Sequence, residues 1–355
     1  MLVVLARMAS PEIAGQYALG VAVSAPILVL AQFRRREPGA TDIRITSLAL
    51  SLLGIAAIGF LNHSLQDRLA LLLVVLAEAV EWIADLYSGR RALASQALHG
   101  ILPVAALALA LGRSWHLGTA LLAVVVVKLM VLFCYDFRRP RSDRPPEDRE
   151  ASVTRLAANV PCYFIAHMLG FRPLGIFAAI QSFVPVGDAL VRELGRRITP
   201  HIARTYEEGD RQGFVRISAQ MAGEGLMLAL CSVISAAIAG CGVLDKLFGA
   251  AYADQPSLLL ALSAAAGASF VATLLGYVIS AARRGADRLP LEVLAVAATS
   301  MASIGLVAKY GLLGAACAAG IGALIQVAGE LCFLRSILHQ PRGAALLALL
   351  KAPLV

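Results

Sequence analysis

Apolar stretches of about 20 residues recur along the whole chain, separated by short breaks of charge, glycine and proline. A helix needs about 20 such residues to cross a hydrocarbon layer roughly 30 Å thick. Complete spans are predicted at Pro11 to Phe33, Ile43 to Leu61, Gln66 to Ser88, Ala94 to Gly112, Leu117 to Phe137 and Val153 to Phe171. Five more follow at Leu174 to Gly195, Phe214 to Gly242, Ser257 to Ala282, Leu289 to Ala308 and Leu312 to Leu334. Met1 to Ala9 is apolar but long enough only for half a helix. It lacks a basic leading segment and a small-residue cleavage site, which argues against a signal peptide. The expected class is therefore all-α, a polytopic transmembrane helical bundle.

Composition sharpens this picture by excluding a soluble domain: 59% of the 355 residues are hydrophobic, 15% are charged, and the mean hydropathy is +0.76. No soluble core absorbs that much apolar surface. A net charge of +8 would suggest nucleic acid in a soluble protein, but here the basic residues sit in alternate loops. One set of loops carries 23 of the 31 Lys and Arg residues and the other carries six. Basic residues near span ends are retained in the cytoplasm, so the rich set is cytoplasmic and nucleic acid is not an expected partner. Both long polar loops, Arg138 to Ser152 and Ile198 to Gly213, fall on that side. The six cysteines lie in or beside apolar segments without ligand spacing and read as small hydrophobes, with no metal or cofactor implied.

The first long loop, rich in Arg and Pro, resembles a linker between two halves. The expected organisation is an N-terminal transmembrane lobe over 1–137, a cytoplasmic linker over 138–152, a C-terminal lobe over 153–340 and a short apolar tail over 341–355. Residues 15–36 can be laid over 175–197, pairing Gly15 with Gly175 and Tyr17 with Phe177, with Pro26 and Pro185 interrupting the two spans. Both copies run from outside to inside, so the repeat is parallel and its axis lies along the membrane normal. The two lobes are expected to be pseudo-symmetric.

Ionisable groups at membrane depth are costly and are candidates for function. Glu78, Glu81 and Asp85 share one face of the third complete span, and Lys128 lies in the fifth at a depth matching that of Glu78. Three readings of Glu78 and Lys128 stay open: a static ion pair, a proton or sodium site for antiport, and a polar cavity wall contacting a lipid pyrophosphate. Asp85 is nearer the cytoplasmic interface. In the C-terminal half Asn159, His167, Gln181 and Asp188 are candidates for a second cavity wall, with Gln326, Glu224 and Glu330, the two glutamates toward the wetter cytoplasmic ends.

Four local motifs, SPEIAGQYAL (Ser10 to Leu19), TPHIARTYEEGD (Thr199 to Asp210), LFGAAY (Leu247 to Tyr252) and YGLLGAA (Tyr310 to Ala316), run in order along nearly the whole chain. Together they resemble the polysaccharide biosynthesis membrane proteins, the oligosaccharide-lipid flippases of the multidrug and polysaccharide exporter superfamily. That family has a complete first helix before its SPEIAGQ-like turn, where this chain has a truncated opening. The resemblance implies two lobes of about six helices and a flippase moving an undecaprenyl-pyrophosphate-linked oligosaccharide by alternating access. It also implies a bacterial inner membrane setting with membrane lipids and other polysaccharide assembly proteins as partners; a coupling proton or sodium ion is one of the readings left open at Glu78 and Lys128. The alternatives are a drug or metabolite exporter of the same superfamily, or a membrane-embedded glycan polymerase or ligase. Against the last, the outer loops are short, and no Walker A, HExxH, GxSxG or GxGxxG motif occurs, so no enzyme activity is expected.

Overall fold

The computed structural model describes residues 1–33, 70–78, 80, 92–113, 117–131, 149–282 and 288–339. The expected span from Ile43 to Leu61, Glu81, Asp85, most of the linker and the 341–355 tail lie outside the described residues. Among those described, every regular element is a helix, so the bundle is all-α.

A short helix α1 (Leu2–Met8) turns at Ser10 into α2 (Pro11–Phe33), and the Ser10 hydroxyl accepts from the Ile13 amide at 3.4 Å. Residues 70–78 are helical. Then come α3 (Ala92–Gly112), α4 (Leu117–Val131), α5 (Arg149–Met168), α6 (Phe171–Gln181) and α7 (Val184–Glu208). The remainder is α8 (Arg211–Phe248), the single turn α9 (Ala250–Ala253), α10 (Pro256–Ala281) and α11 (Leu289–His339). Four helical stretches among the described residues are long and apolar enough to cross a membrane, the last being Pro290–Leu338. That stretch is two spans joined by a tight reversal at Gly311, whose φ of 59° suits a residue without a Cβ. The predicted spans ending at Ala308 and starting at Leu312 flank this point.

One expectation fails in an informative way. The segment Ile198 to Gly213, read as a loop, is helical up to Glu208, and the connection shrinks to Gly209 and Asp210. Gly209 adopts the left-handed conformation that closes α7, while the Asp210 carboxylate accepts from the Gly213 amide at 3.0 Å and starts α8. Hydropathy marks this stretch as non-spanning because it is amphipathic: Val191, Ile202 and Thr205 are buried while the arginines face out. At ~1.5 Å per residue, the 38 residues of α8 run about 57 Å, well beyond the ~30 Å hydrocarbon layer.

The repeat is visible at the centre of the molecule. From Pro11 to Val21 and from Phe171 to Gln181 the pattern of buried, half-buried and exposed positions is the same residue for residue. The two segments also touch each other, and they do so reciprocally. A Cβ on Gly15 would overlap the Phe171 carbonyl, and a Cβ on Gly175 would overlap the Pro11 carbonyl. Contact of one residue with the counterpart of its neighbour, in both directions, is the signature of a two-fold relation. Glu12 and Arg172 are counterparts under the same offset, and they form an ion pair at 3.7 Å. Because lipid tails are as apolar as Leu, close backbone approach supplies the packing that the hydrophobic effect supplies in water.

Among the described residues, the larger core cluster gathers Leu5, Leu71, Leu107, Ile165, Leu174 and Phe177 from both halves. A second is confined to the C-terminal half, where Val191, Ile202, Phe214, Met221 and Leu274 join α7, α8 and α10.

Candidate functional site

The contact between the two copies lies at the ends of α2 and α6 that the charge asymmetry assigns to the outer side. Two further contacts fasten the halves together. Arg7 of α1 donates to the Lys246 carbonyl at the end of α8, and Tyr163 of α5 donates to the Ala22 carbonyl of α2. Within the C-terminal half, Phe183, Phe248 and Tyr252 form a chain of ring contacts at 5.8 and 5.5 Å, with Tyr252 only 1% exposed. The LFGAAY turn is thereby packed against the α6–α7 junction.

Beneath this contact lies a cavity of about 350 Å³ lined by Leu2, Val3, Tyr17, Val21, Glu78 and Ser182. Val21 follows Gly15 by about 9 Å along the helix axis, which places the cavity deeper in the bilayer than the contact. Its wall comes mostly from the N-terminal half, Glu78 included, and Ser182 at the α6–α7 junction is the one lining residue of the C-terminal half. A carboxylate and two hydroxyls in an otherwise aliphatic wall offer hydrogen bonds to a polar head group.

Lys128 is placed behind this wall. Only 2% of it is exposed, and its ammonium donates to the Ala77 carbonyl at 3.3 Å, one residue from Glu78. The matched depths of Glu78 and Lys128 thus become adjacency on the 70–78 helix, with the carboxylate lining the cavity and the lysine enclosed.

The C-terminal candidates divide by role. Gln181 donates to the Ala158 carbonyl at 2.9 Å and accepts from the Cys162 thiol at 3.7 Å, which ties α6 to α5. Asn159, Asp188 and Gln326 are half-buried, His167 is exposed, and Glu224 accepts from Gln220 at 3.0 Å on its own helix. Glu330, expected near water, is fully buried, and its carboxylate accepts from Arg288 at 2.7 Å. Glu292 stands 3.9 Å from the same guanidinium, and Arg288 also donates to Ser280 at 3.4 Å. This cluster joins α10 to both halves of α11. Sequence reading missed it, although Arg288 and Glu292 one turn apart at a helix start were a signal.

No family model matches the chain. The capsular polysaccharide biosynthesis protein CapF of Staphylococcus aureus is 21% identical over 375 residues, spanning 95% of this chain and 94% of that protein. Among solved structures, the lipid II flippase MurJ in an inward closed conformation matches with a TM-score of 0.66 at 11% identity, over 94% of this chain and 84% of that one. An inward-facing multidrug resistance transporter of the MATE family, within the MOP superfamily, matches with a TM-score of 0.61 at 16% identity, over 92% and 87% of the two chains. The chain has the polytopic fold of these transporters, and the polysaccharide-biosynthesis resemblance of its four motifs recurs in a relative aligned along nearly its whole length.

Proposed function

We propose that this chain is a flippase that carries an undecaprenyl-pyrophosphate-linked oligosaccharide from the cytoplasmic to the outer leaflet of a bacterial inner membrane. It serves cell-surface polysaccharide assembly and works beside other proteins of that process. The protein transports and performs no covalent chemistry.

The observation that carries this reading is the reciprocal contact of α2 and α6 at the outer side with a cavity beneath it that reaches Ser182 of the second half. Two related bodies that meet closely at the outer end, with a cavity deeper in, are suited to rocking, which exposes the cavity to each side in turn. Likeness to a capsular polysaccharide biosynthesis protein favours a glycan cargo over a small drug. The polar head sits between the halves while the polyprenyl chain stays in lipid.

Glu78 is the group on the cavity wall that binds a coupling proton or sodium ion, or the sugar hydroxyls. Lys128 holds the helix that presents it. Flipping of a fluorescent lipid-linked oligosaccharide in proteoliposomes tests both assignments. Glu78→Gln is expected to lower the rate at least about tenfold, as loss of a charged partner at a buried site does. Lys128→Ala is expected to lower it as well, together with thermal stability. Absence of flipping by the wild type, with a fluorescent cationic drug exported instead, would move the assignment to a drug exporter. Unchanged flipping in both variants would remove Glu78 and Lys128 from the site.

A further inference from the structure

The offset that relates Gly15 to Gly175 extends back through the preceding helices. It relates the end of α1 at Met8 to the end of α5 at Met168, and the start of α2 at Pro11 to the start of α6 at Phe171. Leu5 and Ile165, counterparts under it, are both fully buried in the larger core cluster. Two further pairs follow from the same offset: Tyr163 of α5 matches Val3 of α1, and Ala22 of α2 matches Ser182 at the end of α6. Val3 and Ser182 line the cavity, whereas Tyr163 and Ala22 are joined by a hydrogen bond. Of two equivalent places across the axis, one is a cavity and the other is closed by a tyrosine.

The acceptor on the closed side is set by the sequence. In an α-helix the carbonyl of residue 22 takes the amide of residue 26, and here that residue is Pro26, which has no amide hydrogen to give. Ala22 is buried, where a carbonyl without a donor is costly. The Tyr163 hydroxyl reaches across from the other half and supplies the donor. Ala22 adjoins Val21, which lines the cavity, so this carbonyl lies at the cavity's edge. Tyr163 is half-buried, and its bond to Ala22 is neutral on both sides. A hydroxyl on a ligand offers the carbonyl the same kind of donor.

Building on the flippase reading, we infer that Tyr163 is a displaceable stopper between the lobes: a sugar hydroxyl of the cargo takes its place on the Ala22 carbonyl. The cavity then extends across the axis into the place equivalent to the one it already fills. The exchange trades one neutral hydrogen bond for another and is nearly even in energy, so the lobes come free of each other at this point as the cargo arrives. With no cargo bound the carbonyl stays covered and the halves stay fastened. A carrier lipid without sugar has no hydroxyl to trade, which makes the stopper selective for the glycan-bearing form. Tyr163 is thus a positioning residue, acting through the Ala22 carbonyl.

The test is binding of two fluorescent probes to the full chain in nanodiscs, an undecaprenyl-diphosphate-linked disaccharide and the same carrier without sugar. Tyr163→Phe removes the competing donor and keeps the ring. It is expected to tighten binding of the disaccharide probe about three- to fivefold, the worth of one neutral hydrogen bond, and to leave the sugar-free probe within about twofold of wild type. Pro26→Ala returns a helical donor to the Ala22 carbonyl and is expected to weaken the disaccharide probe about threefold or more. In that background Tyr163→Phe should change disaccharide binding by less than about twofold. A tyrosine that only packs would lower thermal stability and leave the affinity of both probes unchanged, which would overturn the inference. An equal effect of Tyr163→Phe with Pro26 and with Ala at that position would overturn it too. Pro26→Ala carries the test if Tyr163→Phe fails to fold, because a helix interior takes alanine more readily than proline; unchanged disaccharide binding in it would count against the exchange. Binding that follows the expected pattern in a protein that flips no lipid-linked oligosaccharide would sink the flippase reading and leave the stopper standing.

Discussion

The two copies of the repeated segment behave alike at one end and differently at the other. Over Pro11 to Val21 and Phe171 to Gln181 they present the same burial pattern and press their backbones together through Gly15 and Gly175. Past those points they part. The first copy goes on burying Ala22, Ser24 and Ala25, whereas the second turns at Ser182 and Phe183 into α7, whose outward face is open. Symmetry is kept where the halves must meet and abandoned where a cargo would be handled. A shared origin explains the first region; the second needs separate functions for the two helices.

The largest expected effect comes from filling the contact. Gly15→Val and Gly175→Val each force a side chain against backbone carbonyl that has no room to yield, so each is expected to destabilise by about 3 kcal/mol or more. Thermal unfolding in detergent measures this. Because both substitutions break one contact, the double variant is expected to cost much less than the sum of the two. Additive losses would mean that the glycines serve separate sites and that the two-fold relation is accidental.

Tyr163→Phe should act less strongly, by about 1 kcal/mol, since it removes one neutral hydrogen bond to the Ala22 carbonyl while keeping the ring. If that bond fastens the halves only when the outer side is closed, accessibility of a cysteine placed at Val21 to a membrane-impermeant thiol reagent should rise from the outer side. No change would confine Tyr163 to a packing role.

The smallest effect belongs to Glu12 and Arg172, which are half or more exposed and whose pairing contributes ~0–1 kcal/mol. Glu12→Arg alone should shift the halves apart by like-charge repulsion and change the flipping rate by about two- to fivefold. Restoring opposite signs with Arg172→Glu should return it. Failure of the swap to rescue would mean that the two counterparts do not face each other across the axis.

Much of the bundle was legible in the chain because a spanning helix declares itself by length and apolarity alone. Ser10, Gly249 and Gly311, each inside one of the four motifs, fall at helix ends, while the remaining motif, TPHIARTYEEGD, is helical up to Glu208. The pairing of Gly15 with Gly175 could be read from sequence, yet their mutual contact could not, since a repeat does not say which of its faces meets its copy. Hydropathy failed over Ile198 to Glu208 because it averages over all sides of a helix, hiding the buried side of α7. It failed for Glu330 for the opposite reason: proximity to a span end suggests water, while burial depends on Arg288, 42 residues away. Glu78 and Lys128 were nominated by depth, and which of them lines the cavity needed the fold.

The near-continuity of α6 and α7 has a mechanical consequence. From Gly175 to Glu208 the pair runs about 50 Å at ~1.5 Å per residue, with its fulcrum at the outer end. A tilt of ~10° about that point sweeps the far tip through roughly 9 Å. A modest hinge motion at a glycine pair is thereby converted into a displacement the size of a sugar ring or more, and the arginines ride on the moving arm.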